Sequence, residues 1–242
     1  MIVSLSLIAV CLLPGCQAQP RAPATIGESR AVSDLPGGLP AADIADGQIL
    51  HVLTEQSELR IVAYAAGPLA RFGHPHVIGG PVIHGQIFLA DDFHDSALQL
   101  RIDVRGLEVD RPEWRLDEGF DPQLDQSAID GTRENMLSAS LLKVDQYPEI
   151  LIESVGLNGP AWQPDLELRI TLAGSTRELT VPIALDLNRN TLTAIGRFAL
   201  RQSDFGIQPF SAAGGNLQVA DEILLRFRIV AATPEPQINR TD

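Results

Sequence analysis

The run Leu98-Gln99-Leu100-Arg101-Ile102-Asp103-Val104-Arg105 alternates without exception between apolar and polar side chains. Successive residues of an extended chain point to opposite faces, so this order collects every apolar group on one face and every polar group on the other. In a helix the same sequence would scatter its apolar groups around the whole circumference. Residues 98–105 are therefore a strand with one buried and one wet face. Residues 166–172 repeat the pattern, as do residues 223–229, with Arg226 and Arg228 on the exposed side. Less regular strands are expected at 59–65, 82–89, 150–157, 179–187 and 192–200. Turn signals separate many of them: Gly79-Gly80, Asn158-Gly159-Pro160, Gly174-Ser175 and Asn188-Arg189-Asn190. About eight such strands on short connections fold into either a two-sheet sandwich or a closed barrel. One segment breaks the rhythm: residues 127–144 mix Ile129, Met136, Leu137, Leu141 and Leu142 with polar residues, which predicts two short helices joined near Ser138, the second N-capped by that serine.

The chain ends read differently. Residues 1–16 carry no charge and are mostly apolar from Ile2 to Leu13. That is shorter than the ~20 residues of a membrane helix but matches the ~7–15 of a signal-peptide core. The sequence Leu12-Leu13-Pro14-Gly15-Cys16 resembles the bacterial lipobox, which implies an acylated Cys16 as mature N-terminus; a soluble product cut after Ala18 is the alternative. Gln17, rather than Asp, follows Cys16, which in a Gram-negative cell points to the outer membrane, with the protein facing the periplasm. Residues 17–47 are rich in Ala, Pro and Gly without a period and read as a tether; residues 233–242 read as a disordered tail, leaving 48–232 as the barrel domain. Both cysteines, Cys11 and Cys16, lie in the leader, so the domain holds no disulfide. Asp and Glu outnumber Lys and Arg by 31 to 18, for a net charge of -13. This argues against nucleic acid as a partner, since binding phosphate backbones needs clustered basic residues.

Tyr147-Pro148, Gly174-x-Thr176, Pro182, Arg201-x-x-Asp204-Phe205-Gly206 and Val219-x-Asp221 occur in an order that resembles the YceI-like proteins, over residues 57–232. The resemblance implies an extended, lipocalin-like antiparallel β-barrel in the periplasm that holds a polyisoprenoid or similar long-chain lipid and uses no other cofactor. Two stretches depart from the family's commonest pattern: residues 66–80, which contain His74-Pro75-His76, and an extra segment at 110–125. Asp204, paired with Arg201, is expected to order the turn before Phe205-Gly206.

The candidate ligand contacts are Phe72, Phe198 and Phe205, with Phe210 and Phe227 as further aromatics, Met136 in the helical segment, and His74 and His76. A metal site at His74, His76 and His84 is the weaker alternative and depends on register. A two-residue Gly79-Gly80 loop puts His84 opposite Pro75 and on the other face, whereas a Gly79-Gly80-Pro81 loop puts it opposite His76. No G-x-S-x-G elbow, phosphate loop or H-E-x-x-H occurs, so the sequence reads as a binding protein rather than an enzyme. A side-chain-filled barrel acting as a docking module is the other non-catalytic reading. For the anchor, labelled fatty acid is expected to enter the protein at Cys16, and Cys16→Ser to shift it from the membrane to the soluble fraction; equal labelling of both forms would exclude the lipobox.

Overall fold

The computed structural model describes residues 47–188 and 190–234; Cys16, the leader, residues 17–46 of the tether and residues 235–242 of the tail lie outside the described residues. The strands are β1 (Gly47–Val52), β2 (Glu58–Ala63), β3 (Ala65–Ala66), β4 (His76–Gly80), β5 (Ile83–Ala90), β6 (Ala97–Asp103) and β7 (Glu108–Val109), then β8 (Glu149–Asn158), β9 (Asp165–Leu172), β10 (Ser175–Asn188), β11 (Thr191–Arg201), β12 (Ser211–Ala212), β13 (Leu217–Val219) and β14 (Glu222–Ala232). Two helices, α1 (Pro112–Asp117) and α2 (Gln126–Leu137), fall between β7 and β8.

The hydrogen-bonded order β1-β5-β6-β8-β9-β10-β11-β14 closes on itself through a β1–β14 pairing, giving an eight-stranded antiparallel barrel. Two of its staves are compound. β1 runs on into β2, β4 runs on into β5, and the two composite strands pair antiparallel, β1 with β5 and β2 with β4. The alternating segments behave as their period demands. Leu166, Leu168, Ile170 and Leu172 face inward, while Arg169 meets Glu178 on the outside at 2.7 Å. In β8 a bulge between Ser154 and Gly156 shifts the inward set from Ile150, Ile152 and Ser154 to Leu157.

The seam lies between β14 and the β1/β2 stave. A 3-10 turn at Thr54–Gln56 interrupts the ladder between the pairs Val52↔Ala231 and Glu58↔Arg228. Ser57 bridges the gap: its Oγ accepts from the Val230 N–H at 3.0 Å and donates to the Leu53 carbonyl at 2.9 Å, and Leu53 N–H donates to Val230 O at 2.8 Å. This explains why a serine is buried there, at 4% exposure.

Three local expectations are corrected. Gly79-Gly80 is not a hairpin turn: both residues lie within β4, opposite Arg60 and Leu59. A Cβ at Gly79 would run into the Leu59 carbonyl oxygen, and Gly80 adopts φ 140, so the glycines permit close strand approach and a bend that hands the chain from β2 to β1. Residues 127–144 hold one helix rather than two. Asp125 caps α2 by accepting from Ser127 N–H at 2.8 Å, and Ser138 ends that helix, its Oγ donating to Asn135 O at 2.7 Å. The pieces of the family pattern meet in space: the Tyr147 ring occupies the place of a side chain at Gly174. Asp221, not Asp204, orders the turn before Gly206, accepting from Ser203 N–H at 2.8 Å and Ser203 Oγ at 2.6 Å.

Ser57→Ala leaves the buried Val230 N–H without its partner. It is expected to lower the free energy of unfolding by about 1–3 kcal/mol in urea titration, with the far-ultraviolet circular dichroism spectrum unchanged.

Candidate functional site

The barrel encloses a cavity of about 310 Å³ lined by the inward-facing rows of its strands. From β6 come Leu98, Leu100 and Ile102, from β9 Leu166 to Leu172, from β11 Leu192, Ala194, Phe198 and Leu200, and from β14 Ile223, Leu225, Phe227 and Ile229. Phe198 and Phe227 meet edge to face, centroids 6.4 Å apart. One end is covered by Thr132, Asn135 and Met136 of α2 with Leu141 and Leu142; the other is approached by Phe93 and Ser96. Of the lining residues, Asn135 and Phe210 are exposed, and both belong to the α2 end, which identifies it as the mouth.

Few polar side chains reach this cavity, and apart from Asn135 at the exposed rim and His76 they are committed to backbone. Ser96 Oγ accepts from Ala90 N–H at 3.1 Å, and Ser154 Oγ from Leu98 N–H at 2.8 Å. Thr132 donates to Ala128 O at 2.8 Å, and Gln202 to Ala220 O at 2.9 Å. His76 differs. It begins β4 at the mouth, pairs with Ala63, and faces inward with Ile78 and Ile61. Its Nδ1 lies 2.6 Å from Asp110 Oδ2.

Asp110 belongs to the extra segment, which the structure turns into a buttress. Asp110 adopts φ 55 directly after β7, donates its N–H to Val77 O at 2.7 Å and receives Val77 N–H on Oδ1 at 2.9 Å. Arg115 of α1 reaches the same Oδ1 at 2.7 Å, gives Nη1 also to Pro75 O at 2.7 Å, and gives Nε to Asp121 O at 2.6 Å. Both ions are 1% exposed. Trp114, also buried, carries the Arg60 guanidinium 4.7 Å above its ring. Burial alone would raise the Asp110 carboxyl; hydrogen bonds from His76, Val77 and Arg115, with the adjacent imidazole charge, outweigh it and hold the group below the usual carboxylate range. Burial, reinforced by His76 and by Arg115, lowers His74 despite the opposing pull of Asp110.

Of the candidates from sequence, Met136, Phe198 and His76 line the cavity, together with Phe210 and Phe227. Phe72 does not: it sits in the loop before β4, 67% exposed, with Arg71 over its ring. Phe205 is buried at 3% but packs in the 3-10 turn Gln202–Phe205 outside the lining. His74 meets His76 edge to face, centroids 4.7 Å apart, without reaching the cavity wall. His84 stands apart in β5, opposite Arg101 and bonded to Thr54 Oγ1 at 3.0 Å. Because β4 and β5 form one stave and not a hairpin, neither loop register applies, and no group of three metal-ligating side chains forms among the described residues. Asp110 and Arg115 were missed as site residues, since a buried ion pair and a surface pair look alike in sequence; Pro112 at the helix start was the one local signal.

The depressed Asp110 group contributes stability that is present at neutral pH and is lost as pH falls through its folded value, below about pH 4. Asp110→Ala, which strands the Arg115 charge, is expected to cost about 3–5 kcal/mol at pH 7. Urea titrations at pH 7 and pH 3 should show a smaller acid-induced loss in the variant than in the wild type.

The family model of the YceI-like domain matches residues 62–231. Among solved structures, BcnA of Burkholderia cenocepacia superposes with a TM-score of 0.56 at 16% identity, over 75% of this chain and 99% of that one. A polyisoprenoid binding domain from Saccharophagus degradans, implicated in plant cell wall breakdown, gives 0.51 at 12% identity, over 76% and 98%. No curated protein matches the chain.

Proposed function

The chain belongs to the YceI-like domain family, and from that premise we propose that it is an exported, membrane-anchored carrier holding a polyisoprenoid or comparable long-chain apolar ligand inside its barrel. The observation that carries this reading is the continuous apolar cavity running from the α2 mouth between the strand rows. Side chains do not fill the barrel, which counts against a docking module with a solid core. Each methylene transferred from water to such a lining contributes about 0.8 kcal/mol, so roughly ten of them bring about 8 kcal/mol before ordering costs, on the scale of micromolar binding. Non-directional burial suits a flexible hydrocarbon, and carriage of this kind requires no chemical step and no cofactor. That the Saccharophagus degradans neighbour is a polyisoprenoid binding domain supports the ligand class. Acylation at Cys16 would hold the carrier at the cell envelope, within reach of the membrane from which such a ligand comes.

Ala194 faces the cavity from β11, opposite Leu185 and Ile229. Ala194→Trp projects an indole into the ligand's path and is expected to weaken uptake of a fluorescent farnesyl probe at least tenfold, with the circular dichroism spectrum retained. Undiminished uptake would place the ligand somewhere other than the barrel.

A further inference from the structure

We propose that His76, held by Asp110 and Arg115, is a head-group site at the mouth of the cavity that accepts a hydrogen bond from a hydroxyl, so that the chain selects long-chain alcohols over anionic amphiphiles with the same tail. The inference rests on the carrier reading and extends it from the tail to the head.

Three features of the cluster lead to this assignment. Asp110 takes the Nδ1 side of the ring at 2.6 Å while Arg115 holds the same carboxylate, so in the neutral imidazole the hydrogen sits on Nδ1. Nε2 then carries a lone pair. It has no protein hydrogen-bond partner among the described residues, and the ring lines the cavity beside Ala63 and Ile78. Of the neighbouring polar liners at that end, Thr132 and Gln202 are already bonded to backbone and Asn135 lies on the exposed rim, so the acceptor stands in a mostly apolar wall where a lone hydrogen bond is worth most.

The polarity of the site follows from where its charges are spent. Arg115 is the cation of the cluster, but it is 1% exposed and its Nε and Nη1 are committed to Asp121, Pro75 and Asp110. Those two nitrogens are not available to a phosphate or carboxylate, and the charge is already answered by Asp110. A lone pair on Nε2 repels an anionic oxygen, and the acidic chain, at -13, adds to that repulsion. An ammonium head could donate, but would have to shed its hydration against the apolar rim. A neutral hydroxyl meets the acceptor without either cost. His74 flanks the arrangement: its ring meets His76 edge to face with centroids 4.7 Å apart, and its buried Nε2 has no protein partner among the described residues.

Farnesol, farnesyl methyl ether and farnesyl monophosphate share one tail and differ at the head, and their dissociation constants with the purified protein test the assignment. The wild type is expected to bind the alcohol about tenfold more tightly than the ether, and the phosphate most weakly, the scale of one net hydrogen bond. His76→Phe should bring alcohol and ether to equal affinity while ether binding stays unchanged, which also shows that the variant is folded. The wild-type ranking stands independently of any variant. A preference for the alcohol that survives in His76→Phe, or a phosphate bound most tightly, overturns the head-group assignment and leaves the carrier reading intact. Failure of all three to bind overturns both.

Discussion

An alternating strand has a single apolar face, and a sheet of eight such strands can withdraw that face from water by rolling on itself until the last strand meets the first. Closure also removes the free edges along which sheets aggregate. Here the ring closes at a flawed seam, where the β14 ladder loses its partners around Thr54–Gln56 and Ser57 supplies the missing hydrogen bonds. The matching bend on the neighbouring stave falls at Gly79-Gly80, so the two composite strands bend together and remain paired on both sides of the interruption. With the wall complete, the cavity follows from side-chain size: Leu and Ile rows leave room along the axis, and Ala194 and Ala63 leave more.

The extra segment at 110–125 belongs to the same economy of space. α1 packs Trp114 and Arg115 beside β4, and Asp110 stitches itself to Val77 through both backbone groups. A buried ion pair is a poor source of net stability, because desolvating both ions offsets their attraction. Its effect here is positional. It fixes the first residue of β4, whose ring lines the cavity, at the mouth of an apolar chamber.

Much of the barrel was legible because the period of two is a local signal: residues 98–105, 166–172 and 223–229 declare their faces unaided. The strand Gly47–Val52 was not, since Gly-Gln-Ile-Leu-His-Val has no clean alternation and is made a strand by pairing with β5 and β14. Gly79-Gly80 misled for a related reason. Glycine pairs mark turns when the neighbouring strands part, but close approach to Leu59 demands the same residue within a strand. The cavity phenylalanines could not be separated by type. Phe198 and Phe227 lie on strands in inward register, whereas Phe72 and Phe205 sit in short turns whose orientation depends on distant packing. His76 was visible as a histidine, but its partners Asp110 and Arg115 are 34 and 39 positions further along the chain, and only the pairing of β4 with β7 brings them together.

Whether the barrel holds an apolar chain is read by non-denaturing mass spectrometry of the intact protein purified from its own cells. The expected spectrum shows a complex heavier than the polypeptide by one long-chain lipid, released as a single species on collisional activation. A spectrum containing the bare polypeptide alone, with no adduct formed on adding prenyl lipids, would contradict it.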